Sequence, residues 1–244
     1  MGVRVIAVDA PAALLERPAN YATLIDRIGA DVRVRLASPS KCRTFPSAIQ
    51  LIDFLDVDGL EELSAHLVPQ VERTIYESYA SVDKVYVYRS LVTPRPPESS
   101  MLWHFDEHPK EMLKIMIYLS DVDEGSGPFT YLASPRPANA VNGARNPIGG
   151  HSRVSEVRIA NYVASGCEIR HVTGPRGTMI LFHDNAIHRG LPPTQSHRDV
   201  VVLQLRPSCV RQRPYIDPRW TGSFQHEGVN FDPWVITPQL EPAS

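Results

Sequence analysis

The run Trp103-His104-Phe105-Asp106 sets the tightest limit on how this chain can fold. In extended backbone the side chains alternate between faces, so His104 and Asp106 project together while Phe105 points the other way. An imidazole and a carboxylate are then held side by side, and a second imidazole from a distant strand would complete two histidines and one carboxylate around a metal ion. Far downstream, Phe182-His183-Asp184-Asn185-Ala186-Ile187-His188 offers two histidines. His188 is the better placed, because Arg198 lies ten residues beyond it, across the turn-forming run Gly190-Leu191-Pro192-Pro193-Thr194-Gln195-Ser196. Arg198 opens the apolar stretch Val200-Val201-Val202-Leu203, and an antiparallel hairpin would return it beside His188. A guanidinium inside a barrel needs an anionic partner, and its planar fork suits a carboxylate.

His-x-Asp alone is a weak signal in a chain with nine histidines, and a single histidine is more often structural than a ligand. His108, His183 and His197 compete for the same role. A helical pairing of His104 with His108 is opposed by Pro109 and the strand-like context. Two histidines and one carboxylate with open coordination positions are the ligand set of non-haem Fe(II) oxygenases.

Five segments in the same order resemble the Fe(II)/2-oxoglutarate-dependent dioxygenases, and within them the phytanoyl-CoA dioxygenase-like group. They are Trp103 to Asp106, Lys114 to Val122, Ser126 to Leu132, Gly174 to Thr178 with Leu181-Phe182, and Ile187 to Gly190 followed by Arg198. The resemblance implies a mainly β fold with flanking helices: a double-stranded β-helix, the jelly-roll or cupin-like barrel, with N-terminal supporting helices. It implies that His104, Asp106 and His188 hold Fe(II), that Arg198 binds the distal carboxylate of 2-oxoglutarate, and that O2 is the oxidant. The expected outcome is hydroxylation of an unactivated C–H of a small metabolite or natural-product intermediate, with release of succinate and CO2. Asp106 stands where related halogenases carry a small residue. Two departures touch the site: Ala133-Ser134-Pro135-Arg136-Pro137 where relatives show a Pro-Gly-Ser-His turn, and Arg189 where they carry a small residue, which could alter the 2-oxoglutarate pocket.

The whole chain, residues 1 to 244, reads as one domain: support over residues 1 to 100, a barrel over 101 to 206, and a tail from 207. Val3 to Val8 suits a short buried strand, and Ala12 to Ile28 has helical spacing. Leu60, Leu63, Leu67, Val71, Ile75 and Tyr79 form a clearer helical stripe. Asp58 with Glu61 suggests a capping box, and Pro69 a kink or break. A core-facing role suits that stripe better than a partner-binding one. Val82 to Val92 reads as a strand. In Leu113 to Ser120 the odd residues are apolar and the even ones partly polar, so Lys114 and Tyr118 could face the barrel lumen and touch 2-oxoglutarate or substrate. Asp121 to Gly127 lacks the full pattern of a calcium loop and reads as a hairpin turn. Residues 134 to 172 form a long connection, expected to be a lid with a short helix near Val154 to Val163. Its Asn146 to Gly150 run lacks the pattern of a phosphate loop. Thr178 to Phe182 is a strand leading to the second histidine, and the aromatic tail is expected to pack on the barrel or on a partner in a homodimer.

Composition bounds the rest. At 244 residues one domain can bury roughly 70–75% of its unfolded surface. A formal net charge of −2 gives no general pull towards nucleic acid or anionic membrane, and no apolar run is long enough to span a bilayer. A small-molecule substrate fits better. Cys42, Cys167 and Cys209 are scattered and odd in number, as in a reducing cytoplasm. Two other classes share the ligand triad: a zinc-dependent cupin-like hydrolase or lyase, which would have no use for Arg198 as a dicarboxylate anchor, and a non-catalytic small-molecule-binding barrel.

Overall fold

A computed structural model describes residues 15–45, 48–109, 111–134 and 152–216. The expected strand at Val3 to Val8, the Asn146 to Gly150 run and the tail aromatics Trp220, Phe224, Phe231 and Trp234 lie outside them.

Two antiparallel sheets face each other in the manner of an open jelly roll. The larger contains β1 (Cys42–Thr44), β2 (Ile49–Ile52), β3 (Tyr79–Ser90), β4 (Leu113–Tyr118), β7 (Met179–His183) and β9 (Arg198–Ser208), in the order β1-β2-β3-β9-β4-β7. The smaller contains β5 (Phe129–Ala133), β6 (Glu168–Val172) and β8 (His188–Gly190), in the order β6-β5-β8. Helices α1 (Tyr21–Leu36) and α2 (Leu60–Val71) cover the outer face of the large sheet, and α3 (Glu156–Ala164) lies in the connection between β5 and β6.

The central strands carry apolar residues on both faces because both are covered. Along β4, Leu113, Ile115 and Ile117 pack against the helical layer, while Met116 and Tyr118 pack between the sheets. Leu60, Leu63, Leu67 and Val71 are buried on α2, as the stripe predicts, each contributing about 1.5–3 kcal/mol. Strand β3 changes faces once. Val82 pairs with Leu205 and Lys84 with the next residue, Gln204, so Asp83 is an extra residue in a bulge. Before it Ala80 and Val82 face the helices; after it Val85 and Val87 do, which turns Tyr86 and Tyr88 towards the space between the sheets.

Several local expectations are corrected. Helix α1 begins at Tyr21, after Pro18 has closed a turn by accepting from the Tyr21 N–H, and it runs on to Leu36. Asp58 does not cap α2. Its N-cap is Gly59 at φ 87°, while Glu61 accepts from the N–H groups of Tyr215 and Ile216. Pro69 stays inside α2, and the irregularity follows it as a π-helical turn over Glu72–Tyr76. The acidic turn after β4 is no hairpin: β4 pairs with β7 and β9, β5 with β6 and β8, so the turn passes the chain from one sheet to the other. The segment between β8 and β9 does the same. The connection after β5 ends earlier than residue 172, because β6 is a strand of the small sheet, while α3 lies where a short helix is expected; residues 135–151 of the expected lid lie outside the described residues. The start of the tail packs on the helical side, with Tyr215 buried there.

Candidate metal centre

The extended segment around His104 is held by alternating backbone bonds rather than by a full strand. His104 N–H and Asp106 N–H donate to the carbonyls of His188 and Asp184, each at 3.0 Å, while Phe105 N–H donates to Ser152 on the other side. That alternation puts His104 and Asp106 on one face. His188 N–H returns a bond to His104 at 2.9 Å, so the two histidines are direct cross-strand partners with ring centroids 4.3 Å apart. Strand β7 therefore ends at His183, and the turn through Asp184 to Ile187 carries the chain across to β8, where His188 sits.

Each ring is oriented from behind. The Nδ1 atoms of His104 and His188 lie 2.7 Å from the carbonyl oxygens of Leu102 and Ala186. A carbonyl only accepts, so both Nδ1 atoms carry the proton and both Nε2 atoms are bare. The Nε2 atoms point at Asp106, 3.7 Å from Oδ1 for His104 and 3.8 Å from Oδ2 for His188. Ligand atoms of all three residues lie within 4.8 Å of one another. Burial pushes the His104 pKa down to about 3, with the His188 ring adding to the effect, and burial lowers His188 too. Burial alone would raise the Asp106 pKa, but Lys114 and the two imidazoles outweigh it and hold the carboxyl below its usual range. Two neutral imidazoles with free Nε2 and one carboxylate are the protonation states that a divalent transition metal requires.

Lys114 is close but already engaged. Its Nζ lies 2.6 Å from Asp106 Oδ2 and 3.8 Å from Asp184 Oδ1. Asp184 is fully buried, and its other oxygen lies 2.5 Å from His108 Nδ1. Tyr118 is also spoken for: its hydroxyl donates to Val172 O at 2.7 Å and accepts from Phe129 N–H at 3.0 Å. The competing histidines go elsewhere. His183 Nδ1 accepts from Asn185 N–H, His108 meets Asp184, and His197 lies 3.6 Å from Asp199. Asp184 is the residue sequence reasoning missed; its one signal is an acid closing the apolar run from Met179 to Phe182.

Arg198 is 3% exposed at the start of β9, paired with Ser90 of β3. Its guanidinium donates to Gly127 O and, at 3.4 Å, to Ser90 Oγ, while Nε has no partner among the described residues. A Cβ at Gly190 would come within 2.6 Å of this guanidinium, so glycine at the end of β8 leaves the space the arginine occupies. Arg189, by contrast, points to the other face, over the Trp103 ring at 4.4 Å and onto Glu156 at 3.0 Å. It does not enter the Arg198 site, because neighbouring strand residues face opposite ways.

One cavity of about 360 Å³ joins these groups. His104, Asp106, His188, Lys114 and Arg198 all line it, with Met116, Phe129, Phe182 and Val202 as apolar walls. Tyr86, Tyr88, Phe45, Ile49, Leu51, Ser99 and Ser100 line the remainder. Lys114 pairs with Gln204 on β9, six residues from Arg198, roughly 20 Å of extended strand. The lysine and arginine thus enter one cavity from well-separated levels.

Solved structures share this architecture. The carbocyclase SnoK of nogalamycin biosynthesis, described as non-haem and α-ketoglutarate dependent, aligns with a TM-score of 0.60 at 12% identity, over 84% of this chain and 81% of its own. EctD from S. alaskensis, solved with 2-oxoglutarate and 5-hydroxyectoine, aligns with a TM-score of 0.57 at 16% identity, over 87% and 76%. The chain has the fold of the non-haem 2-oxoglutarate-dependent enzymes. Within that fold, 144 residues are 26% identical to L-proline trans-4-hydroxylase of Streptomyces griseoviridis, covering 49% of this chain and 53% of that enzyme. The chain therefore spans about half the length of this curated relative. No protein-family model matches it, and the phytanoyl-CoA dioxygenase-like subgroup rests on the short motifs alone.

Proposed function

We propose that this protein is an Fe(II)- and 2-oxoglutarate-dependent oxygenase that hydroxylates a C–H bond of a small metabolite. The observation that carries the reading is the pairing, in one cavity, of a two-histidine, one-carboxylate cluster with a buried arginine whose Nε has no partner among the described residues. A zinc hydrolase needs the first but has no use for the second. His104 and His188 would hold the iron through Nε2, and Asp106 through its carboxylate. When bound, the iron couples oxidative decarboxylation of 2-oxoglutarate by O2, giving succinate and CO2, to oxidation of the substrate.

The protein's own groups orient and exclude. Arg198 would take the distal carboxylate of 2-oxoglutarate through charge-assisted bonds. The hydroxyl of Tyr118 and the ammonium of Lys114 are committed within the protein, whereas Arg198, although it also meets Gly127 O and Ser90 Oγ, keeps Nε without a partner among the described residues, which supports it as the anchor. Met116, Phe129, Phe182 and Val202 give the cavity apolar walls that favour the exclusion of water. A volume near 360 Å³ shared with the co-substrate limits the substrate to a small molecule. No helix among the described residues is long and apolar enough to cross a membrane. The cysteines are unpaired, which suits a reducing cytoplasm.

The test is anaerobic addition of Fe(II) and then 2-oxoglutarate to metal-free protein. A weak visible charge-transfer band, absent in His104→Ala, is expected, followed on aeration by succinate release that a substrate screen accelerates. Tight zinc binding with no band at any 2-oxoglutarate concentration would replace this reading with the hydrolase one.

A further inference from the structure

Asp106 has two oxygens, and the structure treats them differently. Each faces one imidazole, Oδ1 at 3.7 Å from His104 Nε2 and Oδ2 at 3.8 Å from His188 Nε2, but Oδ2 alone carries the 2.6 Å contact with Lys114. On its far side Lys114 Nζ lies 3.8 Å from Asp184 Oδ1, an ion-pair distance without a hydrogen bond. Asp184 is fully buried and held from three directions: its carboxylate by His108 at 2.5 Å, its carbonyl by Asp106 N–H, and its N–H by Met112 O. A lysine side chain 12% exposed on the central strand β4, its ammonium set between the partly buried Asp106 and the fully buried Asp184, is held within the protein and is not reaching for water.

The number of Asp106 oxygens on the metal decides what else can bind. With two imidazoles and one carboxylate oxygen supplied by the protein, a bound metal would keep room for a chelating 2-oxo acid and for O2, whereas a second oxygen from Asp106 would compete with them. We propose that Lys114, braced by Asp184 and His108, is a positioning residue that occupies Oδ2 of Asp106 and so restricts this ligand to a single oxygen. The inference rests on the assignment of His104, Asp106 and His188 as the metal site. Lys114 then acts through Asp106, as groups behind ligating carboxylates do when they fix orientation and tune the metal.

The full chain is loaded anaerobically with Fe(II) and titrated with 2-oxoglutarate, comparing wild type with Lys114→Met, Asp184→Asn and His104→Ala. Lys114→Met should keep one Fe(II) per chain but bind 2-oxoglutarate about tenfold or more weakly, with a shifted charge-transfer band. Asp184→Asn should move both in the same direction by less. Wild-type affinity and band position in a folded Lys114→Met protein would overturn the proposal. A structure of the wild-type protein with Co(II) decides the matter if the variants do not fold. One Asp106 oxygen on the metal with the other on Lys114 supports it; both oxygens on the metal, or Lys114 turned away, overturns it. If His104→Ala binds metal as wild type does, the metal site itself is misassigned, whereas metal held by the triad with Lys114 elsewhere removes only the role of Lys114.

Discussion

His104 and His188 face each other across an antiparallel bridge, with ring centroids 4.3 Å apart and each Nδ1 tied to the carbonyl two residues before it. Backbone pairing and ring orientation are thus set together: the bonds that join the two segments also fix which nitrogen each imidazole presents.

This makes the identity of the second histidine testable. His188→Ala should abolish stoichiometric metal binding, read by titration and elemental analysis. His183→Ala, which removes a ring that accepts from its neighbour's N–H, should leave stoichiometry at the wild-type value. The reverse pattern would reassign the ligand.

Gly190→Ala should act on the co-substrate without touching the metal. The added methyl would sit 2.6 Å from the Arg198 guanidinium and displace it. A dissociation constant for 2-oxoglutarate raised about tenfold, equivalent to roughly 1.4 kcal/mol, is expected with Fe(II) binding unchanged. Arg198→Ala should do the same to a greater degree. Unchanged co-substrate affinity in both would remove Arg198 from the anchor role.

Tyr118→Phe separates a lumen-facing position from a ligand-binding one. It leaves Val172 O and Phe129 N–H buried without their partner and should cost about 1–3 kcal/mol in chemical denaturation. Affinity for 2-oxoglutarate should not change; a large loss would restore this tyrosine to the site.

The metal-free protein should lose stability as pH falls below about 6.5. The folded-state pKa of His104 is depressed to about 3, so between these values the unfolded chain takes up a proton that the folded one refuses. Above 6.5 both states are neutral and the penalty vanishes. The slope from one such histidine approaches about 1.4 kcal/mol per pH unit. Asp106 acts later: its depressed pKa stabilises the fold above the usual carboxylate value and is lost only on further acidification. Melting temperatures from pH 8 to 4 check this, and a smaller slope is expected in His104→Gln.

Much of the site was legible because it is local chemistry on a period-two backbone. His104 and Asp106 share a face for the reason their spacing implies, and Arg198 meets the segment after His188 as its position beyond the turn suggests. The route was not legible. A turn between two apolar strands reads as a hairpin, and nothing in Asp121 to Gly127 or Gly190 to Ser196 reveals that the flanking strands join different sheets. The Thr194 and Gln195 N–H groups bond instead to Gly125 O, joining the two crossings to each other. Lys114 was visible as a polar residue on a buried strand, but its partner Asp184 was not, because the contact joins a strand and a turn 70 residues apart in sequence. The capping box at Asp58 failed because the tail, through Tyr215 and Ile216, claims Glu61.

The two connections that cross between sheets have a mechanical consequence. His188 rides on the small sheet, whereas Lys114 and Arg198 ride on the large one. Slippage along that seam would pull the His188 imidazole away from both the lysine and the arginine at once. The geometry of the proposed centre therefore depends on how the two sheets are docked, and a substitution that loosens Phe129 against Phe182, whose ring centroids lie 4.6 Å apart across the seam, should shift it without changing a candidate ligand.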